Sequence, residues 1–96
     1  MESYVVTAPL WMWNAEKGGW HFLTVDGEVA NAIRFDSVGM RGGFGSVKVV
    51  ATIAGVEWRT SLFPSGETYL LPVKADVRRR TGIRADDIVT FALRLA

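Results

Sequence analysis

Residues 46–62 read SVKVVATIAGVEWRTSL, and this stretch decides the fold class. Val47, Val49, Ala51 and Ile53 alternate with Ser46, Lys48, Val50 and Thr52, the period of two that sends one face of a strand into a core. Ala54-Gly55 makes a tight turn, after which Val56, Trp58, Thr60 and Leu62 resume the alternation, so the segment reads as a β-hairpin. Trp58, Thr60 and Leu62 are expected in the core. Glu57, Arg59, Ser61 and Phe63 then occupy the opposite face.

Upstream, Tyr4 to Trp13 (YVVTAPLWMW) is rich in β-branched and aromatic residues; a turn over residues 14–19 leads to a paired strand, Trp20 to Val25. Asp26 is placed to cap GEVANAIRF, where Val29, Ala32 and Ile33 fall at helical spacing, and the glycine-rich stretch Gly39 to Gly45 ends that helix. Downstream, Pro64-Ser65-Gly66-Glu67 is a second turn, TYLLP a strand, and KADVRRRTG a short helix closed by Gly82. Val89, Phe91, Leu93 and Leu95 alternate in a last strand. Phe22 to Val29 aligns with Leu70 to Val77 at a constant offset, each copy a strand running into a helix. The expectation is mainly β: one domain over 1–96, a small closed or split six-stranded β-barrel with two short helices and a pseudo-two-fold internal repeat of strand-helix-strand halves.

Composition narrows the function classes. With 96 residues and 49% hydrophobic side chains, the chain builds one core and folds unaided. Eleven Lys plus Arg against ten Asp plus Glu leave a charge of +1, so no whole-molecule field draws nucleic acid or an anionic membrane. The lack of cysteine excludes disulfides, thiolate catalysis and cysteine-ligated metals. There is no leader-like start, and no apolar run nears the roughly 18 residues of a membrane helix. A soluble, cytoplasmic protein is expected.

The second half carries a recognisable series: Val56-Glu57-Trp58-Arg59-Thr60-Ser61-Leu62-Phe63-Pro64, Tyr69-Leu70-Leu71-Pro72-Val73, Val77-Arg78, then Gly82-Ile83-Arg84-Ala85-Asp86-Asp87-Ile88-Val89. With Trp20-His21-Phe22-Leu23 and Gly42-Gly43-Phe44-Gly45 in the first half, it resembles the bacterial domain of unknown function 1905 (DUF1905) family over nearly the whole chain. The resemblance implies a small split β-barrel related to the swapped-hairpin barrels of transition-state regulators and antitoxins, and it implies no activity. Two departures stand out. The family's final turn usually carries Gly-Asp where this chain has Asp86-Asp87, and many members continue into a helical, bacteriocin-protection-associated segment, whereas this sequence stops at Ala96.

Chemistry-bearing residues are sparse. His21 is the only histidine, so a Ser-His-Asp arrangement would have to be assembled around it from distant strands, and the reading is structural. One histidine with scattered carboxylates makes no metal site, and no catalytic residue, metal or cofactor is expected. The loop Gly39 to Gly45 with Arg41 lacks the Lys and Ser/Thr of a P-loop and leads into a strand, so it reads as a mobile rim connection. Arg78-Arg79-Arg80 with Arg84 points to a dimeric DNA-binding regulator, but consecutive helical residues face different sides and form no single stripe. Arg78 is expected to turn inward toward a carboxylate. The first strand is apolar on both faces, Leu10 and Met12 on one and Trp11 and Trp13 on the other, so its outer face calls for cover by the helices, a second copy or a protein or peptide partner.

Arg41, Trp58, Arg59, Ser61 and Arg78 are therefore the expected ligand- or partner-binding residues, with Arg59, Ser61, Arg41 and Arg78 forming an anion- or peptide-binding groove. The first reading of function is a binding or interaction module. The DNA-binding regulator is its alternative, and an enzyme or binder acting on a small anionic ligand is the third.

Overall fold

A computed structural model of the chain describes residues 3–14, 16 and 19–96. Its strands are β1 (Ser3–Trp13), β2 (Trp20–Val25), β3 (Val47–Ile53), β4 (Val56–Ser65), β5 (Thr68–Pro72) and β6 (Ile88–Leu95). Helix α1 (Gly27–Asp36) follows β2, and α2 (Ala75–Thr81) follows β5. All pairings are antiparallel and close a barrel in the order β1-β2-β5-β4-β3-β6. Closure pairs every strand with a neighbour on each side over at least part of its length, which limits the free edge that would otherwise invite aggregation. Of the turn expected over residues 14–19, Ala15, Lys17 and Gly18 lie outside the described residues.

The hairpin that opened the sequence reading joins β3 to β4, from Ile53↔Val56 at the turn to Val47↔Leu62. Ala54 (φ 48°) and Gly55 (φ 80°) both take the left-handed conformation of a type I′ turn, whose twist matches that of the strands it joins. The β4–β5 hairpin turns over Gly66-Glu67 alone, so β4 runs two residues further than the expected Pro64-Ser65-Gly66-Glu67 turn allowed. Pro64 is tolerated in β4 because β3 ends opposite Leu62, and the missing amide removes no bond from that ladder.

Alternation fills the barrel. Leu10, Leu23, Val25, Val49, Ala51, Leu62 and Leu71 are fully buried, with Phe91 and Leu93 beside them. β2 and β5 run antiparallel and each leads into a helix, so α1 and α2 close opposite mouths. α1 buries Ala30 and Ile33, and its end is held by the Tyr4 hydroxyl donating to Asp36. Arg34 lies 5.7 Å from the centroid of the Tyr69 ring at the same mouth. α2 buries Val77 and stops at Gly82, whose φ of 75° lets its amide return to the Arg78 carbonyl.

The internal repeat is visible in the register. Adding 48 to the β2 numbering gives β5, and under that shift Leu23↔Leu71 maps onto itself while Phe22↔Pro72 maps onto Leu70↔Thr24. The pseudo-two-fold axis passes between Leu23 and Leu71. Each half is β-β-α-β, one strand longer than the strand-helix-strand unit read from the sequence, because β1 and β4 also exchange places under the symmetry.

Leu71→Ala is expected to cost about 2–5 kcal/mol in urea unfolding, whereas Val5→Ala, at 65% exposure, changes stability by less than about 0.5 kcal/mol. Asp86 sits at φ 76°, so Asp86→Gly relieves left-handed strain and raises stability by up to about 1 kcal/mol in the same measurement.

Candidate functional site

The barrel closes by pairing β4 with β5 only at Phe63↔Leu70, Pro64↔Tyr69 and Ser65↔Thr68. Extending that register would set Ser61 opposite Pro72. Residues flanking a two-residue hairpin loop exchange both backbone bonds, and bonded pairs then recur at every second residue. Ser65↔Thr68, Phe63↔Leu70 and the absent Ser61↔Pro72 are therefore the bonded series, and Pro72 has no amide to donate. The ladder ends there. β5 stays with β2, where the Val73 amide donates to the His21 carbonyl at 2.9 Å, and then turns into α2.

The divergence opens a cleft of about 570 Å³ between the edge of β4, the start of β2 and the beginning of α2. That volume lies within the roughly 300–1,000 Å³ of small-ligand sites. Arg59, Thr60, Ser61 and Phe63 line one wall; Trp20 and His21 from β2, with Pro72, Lys74, Ala75 and Arg78, line the other. Among the described residues, Arg59, Lys74 and Arg78 bring three cations to this lining and no carboxylate joins them. Glu57, the nearest acidic residue along β4, is turned to Arg94 at 3.7 Å. Arg78 is half-buried, and one of its nitrogens donates to the Val73 carbonyl at 2.7 Å, which leaves the other guanidinium donors toward the cleft. Nδ1 of His21 and Nε1 of Trp58 are buried without a partner, two polar atoms left for something other than the described protein groups to satisfy.

Of the residues singled out by sequence, Arg59, Ser61 and Arg78 come together in this cleft. Arg41 does not join them. It donates to the Ser37 hydroxyl at 3.3 Å and to the Arg34 carbonyl, covering the C-terminal end of α1. The glycine loop is thereby tied to a helix end, where a cation also meets the negative end of the dipole. Trp58 faces the barrel interior, half-buried against the core, and is not a wall of the cleft. Arg78 turns inward as expected, but the group it meets is a backbone carbonyl and not a carboxylate. Arg79 and Arg80 share Asp76 at 3.6 and 3.7 Å on the exposed side of α2. The arginine run is thus split between cleft and solvent.

Sequence reasoning did not count Trp20, Phe63 or Lys74 among the site residues, and it read His21 as structural. The signal for them was Pro72, because a proline at a ladder position forces the neighbouring strand edge open, and whatever flanks it becomes the wall. Outside the cleft, the tryptophan face of β1 is a ladder: Trp11↔Phe22 and Trp13↔Trp20 are cross-strand pairs. The Trp11 and Phe22 rings lie 5.1 Å apart, those of Trp20 and Phe22 are stacked at 6.3 Å, and the Trp11 indole donates to the Thr24 hydroxyl at 2.8 Å. Trp13 and Trp20 remain more than half exposed, so neither helix covers the part of the ladder that runs into the cleft. Among the described residues, no three of His, Cys, Asp or Glu converge as metal ligands, and no helix is long and apolar enough to cross a membrane.

A family model described as Domain of unknown function (DUF1905) matches residues 7–93. No curated protein matches the chain.

If Pro72 opens the seam, Pro72→Val supplies the missing donor and lets Ser61 pair. The new amide at position 72 should then show slowed hydrogen exchange. A hydrogen bond worth about 1 kcal/mol is offset by the freer unfolded chain, about 0.4–1 kcal/mol, so stability should hardly move.

Proposed function

The chain belongs to the DUF1905 family, and from its geometry we propose that it is a non-catalytic binding module whose ligand carries at least one acidic group and docks in the cleft between β2, β4 and α2. The observation that carries this reading is the lining: among the described residues, three cations and no carboxylate, set in a cleft with an indole and a phenyl ring on its walls. Like charges gathered without counter-ions repel one another. An arriving anion relieves that repulsion and exchanges water for charge-assisted hydrogen bonds, which are roughly twice as strong as neutral ones.

The residue types divide the work. Arg59 and Arg78 offer planar forks suited to a carboxylate or phosphate, while Lys74 adds a point charge. The hydroxyls of Thr60 and Ser61 serve as donors or acceptors to neutral parts of the ligand. Trp20 and Phe63 supply apolar area for its body. Nucleic acid is the poorer occupant. Of the run Arg78-Arg79-Arg80, only Arg78 lines the cleft, and the charges of Arg79 and Arg80 meet Asp76.

A thermal-shift panel of carboxylates and phosphates with apolar bodies, each beside its neutral amide or alcohol, tests the reading. Acids should raise the melting temperature and their neutral counterparts should not. Arg59→Ala and Lys74→Ala should each weaken binding about tenfold or more, from a charged hydrogen bond of roughly 1.5–3 kcal/mol at 1.4 kcal/mol per tenfold. Both side chains are exposed, so the free variants should melt within about 4 °C of the parent. A panel in which no acid shifts the transition, or a shift that survives both substitutions, overturns the proposal.

A further inference from the structure

The seam exposes backbone as well as side chains. In β4, Val56 faces Ile53 across a two-residue turn and Ser65 faces Thr68 across another. Both turns set the same phase: the amides and carbonyls of Val56, Trp58, Thr60 and Leu62 point to β3, and those of Glu57, Arg59, Ser61, Phe63 and Ser65 point the other way. Phe63 and Ser65 are met by β5. Among the described residues, no strand pairs with Glu57, Arg59 or Ser61 on that side. Each presents one donor and one acceptor, repeating every two residues, about 6.8 Å apart. This is the pattern a further β-strand reads.

The same edge is flanked by Arg59, Lys74 and Arg78, with Trp20 and Phe63 on the cleft walls. Strand addition places alternate side chains of the incoming segment on the Arg59 face and toward the opposite wall. Acidic side chains therefore meet the cations while the backbone completes the ladder that Pro72 leaves unfinished. We infer that the cleft takes up a short extended acidic peptide segment, which adds to the free edge of β4 over Glu57 to Ser61. This deepens the acidic-ligand reading and rests on it, adding that recognition runs through the main chain.

The probe is an acetylated, amidated hexapeptide of alternating valine and glutamate, titrated by calorimetry at low salt, together with two derivatives N-methylated at every valine or at every glutamate. Only one set of peptide amides can face β4, so one derivative should lose at least tenfold in affinity and the other should stay within about twofold. On binding, hydrogen exchange should slow at the Arg59 and Ser61 amides and stay unchanged at Thr60, which already faces β3. Pro72→Val, which keeps every cation but lets β5 compete for the edge, should weaken the peptide at least tenfold. If small carboxylates bind while the peptide does not, or if both methylated forms bind alike, strand addition is wrong and the acidic-ligand reading stands. If neither carboxylates nor peptide bind, both fail.

Discussion

Pro72 has no amide hydrogen to give, and the rest of the site follows from that single missing donor. Where the β4–β5 ladder would place its next bonded pair, Ser61 faces a ring nitrogen that cannot bond. β5 leaves β4 there and keeps only its β2 neighbour through Val73 and His21. On the far side of the resulting gap, Arg78 of α2 reaches back to the Val73 carbonyl at the end of β5. A barrel with an amide at position 72 could close this seam by backbone pairing. This one closes it with a helix and leaves a cleft beneath.

The two helices make that departure tolerable. Each mouth of the barrel is covered by the helix that follows β2 or β5. α1 is fastened at both its face and its end, through Ile33, the Tyr4–Asp36 bond, and Arg41 on the Arg34 carbonyl and the Ser37 hydroxyl. α2 is shorter and buries a single residue, Val77. The mouth whose helix buries less is the one that carries the cations and the unpartnered histidine atom, so the more firmly fastened helix and the cleft lie at opposite ends of the barrel.

Most of the barrel was legible because its signals are local. Alternation through Val47 to Ile53 and Val56 to Leu62, the Ala54-Gly55 turn and the left-handed stop at Gly82 need only neighbours along the chain to be read. The pairing of Arg59 and Ser61 with Arg78 was legible through alternation and the family pattern together. Arg41 was grouped with them because charge alone cannot say which mouth a loop returns to, and a hydrogen bond to the end of α1 decided it. Trp58 pointed inward as its parity required and packs against the core, and it does not line the cleft. Lys74 was missed and His21 was read as structural because each comes to line a cleft only when β5 departs from β4, an event encoded by one proline inside an otherwise ordinary strand.

The repeat has a consequence for how a symmetric scaffold acquires a front and a back. Under the shift of 48 residues that relates β2 to β5, Lys74 occupies the place of Asp26, Arg78 the place of Ala30 and Pro72 the place of Thr24. One copy of the seam thus holds an acid, a buried methyl and a threonine that accepts the Trp11 indole; the other holds two bases and a proline. Two identical seams would make the barrel indifferent to orientation. Three exchanged residue pairs instead give it a polarity, so a partner approaching from solution meets one end that is chemically finished and one that is not.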